Sequence, residues 1–203
     1  MSRTHEASDT SPAPGEVRIE RWLPGPLERI WAYLTESDKR GAWLAPGRME
    51  LRPGGTVEHR FRHADLSAEK DPPAKYGDYR EGHVMYGTIT RCEPPTALGY
   101  TWGEGAESSE VLFELFPADG GEVKLVVTQR RLRSVAGMAN VAAGWHTHLG
   151  ILLDRLKGRE PRGFWSTHGR MEAEYAGLLA AAEPARAFTE SASPESAESE
   201  DDQ

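Results

Sequence analysis

One cysteine, Cys92, stands in a chain of 203 residues. An intrachain disulfide is therefore impossible, and this usage fits a reducing compartment. Long apolar runs are missing too. Nothing approaches the ~20 apolar residues needed to span a bilayer, and the polar start MSRTHEASDTSPAPGE lacks the apolar segment of a signal peptide. A cytoplasmic protein with no membrane span is expected. Basic excess is absent: the formal net charge is −8. Residues 183–203 hold seven acidic residues against one arginine, a net −6, which leaves only −2 for the remainder. A nucleic-acid footprint would need the opposite sign on the folded part, so no nucleic-acid partner is expected.

Signatures of catalysis are also scarce. Paired carboxylates do not stand out on inward faces. Ser108-Ser109 lack a nucleophile-elbow context, and no helix follows Gly103-Glu104-Gly105 to make a phosphate loop. His146 and His148 lie about 200° apart on a helical wheel. His59 and His63 are about 13 Å apart along a strand. Neither pair can share one metal ion, and a His63–His83 pair would need a third ligand such as Asp65 or Asp78. No metal and no cofactor is expected.

What is present is strong periodicity between polar tails. Residues 1–15 and the acidic 183–203 are rich in Ser, Pro, Ala and Glu and are expected to be disordered. The folded region is placed at 16–182. EVRIERWL alternates as a strand. PGPLERIWAYLT carries Leu27, Ile30, Trp31 and Leu34 on one helical face. ESDKRGAWLA reads as a short helix. GRMELRPGGTVEHRFRH reads as two strands joined at Pro53-Gly54-Gly55. A polar loop at 64–80 follows, long enough to be functional or mobile. HVMYGTITRC, TALGYTW, SSEVLFELFP and GEVKLVVTQRRL then read as an antiparallel meander.

NVAAGWHTHLGILLDRLKG, residues 140–158, is the long helix. Val141, Ala142, Trp145, Leu149, Leu152, Leu153 and Leu156 form its apolar stripe, with Ala143, Thr147 and Asp154 opposite or nearly so. Asn140 is the expected N-cap and Gly158 the left-handed C-cap. A further helical segment at 161–182 presents Phe164, His168, Met171, Tyr175 and Leu178.

This order resembles the START-like, or SRPBCC, superfamily with its helix-grip (Bet v 1-like) fold. Within it, the chain resembles the bacterial activator of heat-shock-protein ATPase homologue-1-like family. The likeness rests on VRIERWLPGPLERIWAYLTE, AWLAPGRMELRPGGTVEHRF, YGTITRCEPPTALGYTW, VLFELFPADGGEVKLVVTQ and GWHTHLGILLDRLKG, covering about residues 16–158. Loop 64–80 and segment 161–182 depart from shorter members. The resemblance implies an α+β domain in which a curved antiparallel sheet wraps a long C-terminal helix. It also implies a deep cavity between them that takes a lipid, a polyketide or another apolar small molecule.

Candidate ligand-binding residues are Trp43, Phe61, His63, His83, Met85, Trp102, Phe113, Trp145, His148 and Leu149. They combine inward strand positions with the helix stripe and the short-helix region. A strand face mixing histidine with Phe or Met is unusual for a plain core, because buried polar groups need partners. Two alternatives stand beside binding. One is a cyclase using His83 or His148 as acid or base; the other is an interaction module acting through the C-terminal helix, as monomer or homodimer.

Overall fold

Alternation buries Val17, Ile19 and Leu23 of strand β1 (Glu16–Pro24) on one face, and the same period recurs in the strands that follow. The structure, a computed structural model, describes the backbone of residues 15–190 and the side chains of residues 15–181. Helices α1 (Leu27–Thr35) and α2 (Ser37–Gly41) come next, then strand β2 (Thr56–Phe61). Strands β3 (His83–Glu93), β4 (Ala97–Trp102), β5 (Ser109–Pro117) and β6 (Glu122–Arg130) form the meander. The sheet runs β1-β6-β5-β4-β3-β2, every neighbouring pair antiparallel. The first strand closes against the last, and β2 stands at the far edge.

Register sets the core. Leu98 faces Phe113, Phe113 faces Val127 and Val127 faces Ile19, so one apolar row crosses the sheet. Helix α3 (Val135–Leu156) lies on that row, and α4 (Phe164–Glu190) covers the far side of α3. This is the expected α+β helix-grip arrangement.

Five details differ from the sequence reading. The segment before Pro53 is not a regular strand: it forms only the bridge Met49–Val57. Pro46 has no N–H to return for the one Arg60 gives its carbonyl, and the Gly47 N–H turns to Ser37 Oγ, so the pairing with β2 stays incomplete. Helix α3 begins at Val135, not at Asn140, because Ser134 accepts the Gly137 N–H and caps it earlier. Its end is as read, with Gly158 at φ 66°. Ala143, Thr147 and Asp154, placed away from the core by the wheel, are buried because α4 packs on that face. On α4 the last buried leucine is Leu179, whereas Leu178 is exposed. The helix also runs to Glu190, beyond Ala182; residues 1–14 and 191–203 lie outside the described residues.

Asp154 anchors the turn from α3 to α4. Its carboxylate takes Arg159 at 2.6 Å and Arg162 at 3.0 Å. Burial alone would raise its pKa, but Arg162 foremost and then Arg159 outweigh it and hold the carboxyl below its usual range.

Candidate functional site

Aromatic rings fill part of the interior between sheet and helix. Phe113 meets the Trp145 ring edge-on at 5.4 Å, Tyr100 stacks on Phe113 at 5.8 Å, and Leu149 is fully buried. Free space survives at the mouth, as a pocket of about 190 Å³. The sheet contributes Phe61, His83, Trp102 and Gln129 to its wall. Helix α3 contributes Asn140, Val141, Gly144, Trp145 and His148. The roof is His63, Tyr76 and Tyr79 from the loop after β2, with Phe164, Trp165 and His168 from the first turns of α4.

Of the residues expected from sequence, Phe61, His63, His83, Trp102, Trp145 and His148 meet around this pocket. Trp43, Met85, Phe113 and Leu149 do not line it. Trp43 sits in the core and donates its indole N–H to Tyr33 O at 2.9 Å. Met85 packs half-buried against the core, and Phe113 and Leu149 belong to the filled layer behind. Trp102 packs edge-on against Trp145 at 5.2 Å and faces the pocket. His83, although exposed, stacks on Phe61 at 4.9 Å. No group of three metal-ligating side chains exists among the described residues.

Hydrogen bonds fix two wall residues. The Trp145 indole N–H donates to Gln129 Oε1 at 2.6 Å, and Gln129 Nε2 donates to Ser109 Oγ at 2.8 Å. The Trp145 plane is thus locked and its donor used. His148 Nδ1 lies 2.7 Å from Trp43 O. A carbonyl only accepts, so Nδ1 carries the proton and Nε2 keeps its lone pair. That Nε2 makes no hydrogen bond and is not shut in by protein atoms. Burial, with the field of His168 adding to it, lowers the His148 pKa to about 4 despite the bond to Trp43, so the ring is neutral at pH 7. His146, next but one, points the other way and meets Tyr175 Oη at 3.1 Å between α3 and α4.

The roof carries unspent polarity. His63 Nδ1, His168 Nδ1 and Trp165 Nε1 are buried without hydrogen-bond partners. Burial first, then His148, His83 and His168, lower the His63 pKa to about 3. Behind the pocket His59 is fully buried between Phe61, Tyr100 and Trp102, and both its ring nitrogens lack partners. Its pKa falls to about 3, through burial and then the charge of Arg40; the Ala45 carbonyl opposes this from outside hydrogen-bonding geometry. Arg40 itself is held by the carbonyls of Ala45, Thr35 and Gly47.

The loop 64–80, long enough by its sequence to be functional or mobile, is fastened to α4. Lys75 Nζ lies 2.6 Å from Glu172 Oε1, and Tyr76 Oη donates to Glu172 Oε2 at 2.8 Å. Burial would raise the Glu172 pKa, but Lys75 and Tyr76 outweigh it, so the carboxylate stays charged. At the start of α4, Ser67 Oγ accepts the Phe164 N–H at 3.1 Å and Glu69 accepts the Ser166 N–H at 2.9 Å. A Cβ on Gly163 would lie 2.4 Å from the Glu69 carboxylate, so glycine is what lets Glu69 reach the helix end. Sequence reasoning did not place Tyr76, Tyr79, Gln129, Asn140, Val141, Gly144, Phe164, Trp165 and His168 at the site, although Asn140, Val141, Phe164 and His168 were read as helix residues. The aromatic pair in GFWSTH and the mid-helix Gly144 were the signals available for them.

Sheet, gripped helix and small roofed pocket together define a helix-grip domain. Residues 24–157 match the family described as Activator of Hsp90 ATPase homolog 1-like protein, and the chain belongs to that family. A Bordetella parapertussis protein solved in solution by NMR is 45% identical, with a TM-score of 0.70 over 86% of this chain and 94% of that one. CalU16 from Micromonospora echinospora shares the fold at 19% identity, with a TM-score of 0.61 over 85% and 98% of the two chains. DynU16, from the dynemicin biosynthetic locus, shares it at 17% identity, with a TM-score of 0.57 over 76% of this chain and 51% of that one. No curated protein matches the chain. Among the described residues no helix is long and apolar enough to cross a membrane.

Proposed function

We propose that this protein binds a compact, mostly apolar small molecule in the pocket between Trp145, Phe61 and the roof of α4. The observation that carries this reading is a hole kept open at a cost. Gly144 lies within a helix, where glycine is about 1 kcal/mol worse than alanine. A Cβ there would touch nothing within 4 Å, so packing does not require the glycine, yet the residue lines the void. Apolar pockets with a few polar groups are the usual small-molecule sites.

The reading favours binding over turnover. No carboxylate lines the pocket. Of the two candidate acids or bases, His148 has a pKa of about 4, far from the value near 7 that serves proton transfer at neutral pH, and burial lowers that of His83 as well. The volume also favours a ring-sized ligand over a long lipid chain. Titration of the 15N-labelled chain with toluene tests the proposal. The indole resonances of Trp102 and Trp145 should shift saturably; an unchanged spectrum up to the solubility limit of toluene would overturn it.

A further inference from the structure

Resting on that reading, we infer that the pocket is built for a compact aromatic alcohol, whose hydroxyl donates to His148 Nε2 while its ring lies among Phe61, Trp102 and Trp145. Three observations lead there. The first is the tautomer. Trp43 O accepts a hydrogen bond from Nδ1–H at 2.7 Å, so Nε2 is an acceptor and nothing in the protein donates to it. A hydrocarbon filling the pocket would strip water from that nitrogen and leave it unpaired, whereas a hydroxyl replaces the water's hydrogen bond. The preference for a donor over its hydrocarbon twin should be about tenfold or more.

The second is size. About 190 Å³ is a little more than the ~150 Å³ apolar cavity that takes benzene. It falls short of the ~300–1,000 Å³ of sites for drug-sized molecules. One ring fits, or two fused rings.

The third is charge and polarity. No Asp, Glu, Lys or Arg lines the pocket, so a carboxylate or ammonium on the ligand would be buried without a counter-charge. A hydroxyl donates to Nε2 without bringing a charge into the pocket.

Phenol and toluene have nearly the same shape and differ in the donor. The full chain is titrated with each, followed at the Trp102 and Trp145 indole signals, and the titrations are repeated with 2-naphthol and 2-methylnaphthalene. Phenol is expected to bind about tenfold or more tighter than toluene. In His148→Asn the amide can still donate to Trp43 O, but no acceptor remains at the Nε2 position. The ratio of phenol to toluene affinity should fall to near unity there. If toluene matches phenol in the wild type, or the preference survives in His148→Asn, the inference is overturned while the binding reading stands. If no member of either pair binds, the binding reading itself fails. Should His148→Asn not fold, 15N spectra of the wild-type imidazole decide. Phenol must shift Nε2 and leave Nδ1 a protonated nitrogen, and an unmoved Nε2 would overturn the assignment.

Discussion

Gly144→Leu should make the protein more stable and stop it binding. The reasoning starts from Gly144→Ala. Glycine within a helix is worse than alanine by about 1 kcal/mol, from backbone entropy and lost propensity. The new Cβ would meet no other atom within 4 Å, so no clash offsets the gain. For a domain of this size, about 1 kcal/mol moves Tm by roughly 2–4 °C. Leucine adds four carbons. At roughly 30 Å³ each, about the share of a water molecule, they occupy more than half of the 190 Å³ void. Burying that side chain against Phe61 and Trp102 contributes a further ~1.5–3 kcal/mol in the best case. Urea unfolding of wild type, Gly144→Ala and Gly144→Leu measures the stability series, and titration with toluene measures the site. The expected order of stability is glycine, alanine, leucine from lowest to highest, with toluene affinity in the reverse order and lost in the leucine variant. A leucine variant less stable than wild type would show that the void is not free space. One that binds toluene unchanged would show that the ligand sits elsewhere.

Three further outcomes follow from the buried polar groups. His59, His63 and His148 titrate near 3, 3 and 4 when folded, against 6.5 when unfolded. Each takes up a proton on unfolding between those values, so stability rises with pH there and is lost as pH falls from about 6.5 toward 4. The slope is at most about 1.4 kcal/mol per pH unit for each group; urea midpoints that do not move between pH 7 and pH 5 would contradict it. His59→Leu should be neutral or stabilising by about 1 kcal/mol at pH 7, since it removes two buried unpaired nitrogens at similar volume, and it should flatten the pH slope by one proton. A loss above about 3 kcal/mol, of the kind a buried network produces, would refute this. Glu172→Gln should loosen the roof without unfolding the domain. Amides of loop 64–80 should exchange faster while those of β4 to β6 stay protected, because Lys75 and Tyr76 lose their charged partner. Unchanged loop protection would mean that Ser67 and Glu69 alone hold the roof.

Strand and helix periods made most of the fold legible. Val111, Phe113 and Leu115 on β5 and Trp145, Leu149 and Leu152 on α3 are buried as alternation and the helical stripe imply. The failures have local causes. Pro46, just before the segment read as a strand, has no N–H to pair with β2, and Ser134 competes with Asn140 as cap and wins by accepting the Gly137 N–H, about two helical turns before Val141. Thr147 reads as exposed because a wheel shows one helix, whereas α3 has two partners. The site was legible only as far as faces are. His63, His83 and His148 were seen as inward or edge residues, but face alone cannot separate a wall from the core behind it. Phe113 and Leu149 share the face of Trp145 and still belong to the filled layer.

The roof explains why the ligand cannot be taken from the fold. The family match ends at residue 157, and Phe164, Trp165 and His168 lie beyond it. Tyr76 and Tyr79 come from the long loop after β2, joined to α4 through Glu172. Without those two segments the same sheet and helix would present Trp145, Phe61 and His148 in an open cleft, where water could satisfy Nε2 and the apolar walls would select weakly. With them, the cleft becomes a small, partly covered pocket in which an acceptor left unpaired by the ligand weighs more heavily. Size and hydrogen-bond demand are thus set by the additions, while the shared domain supplies the rigid wall. Relatives with the same grip but a different roof should differ from this protein in which ring they hold.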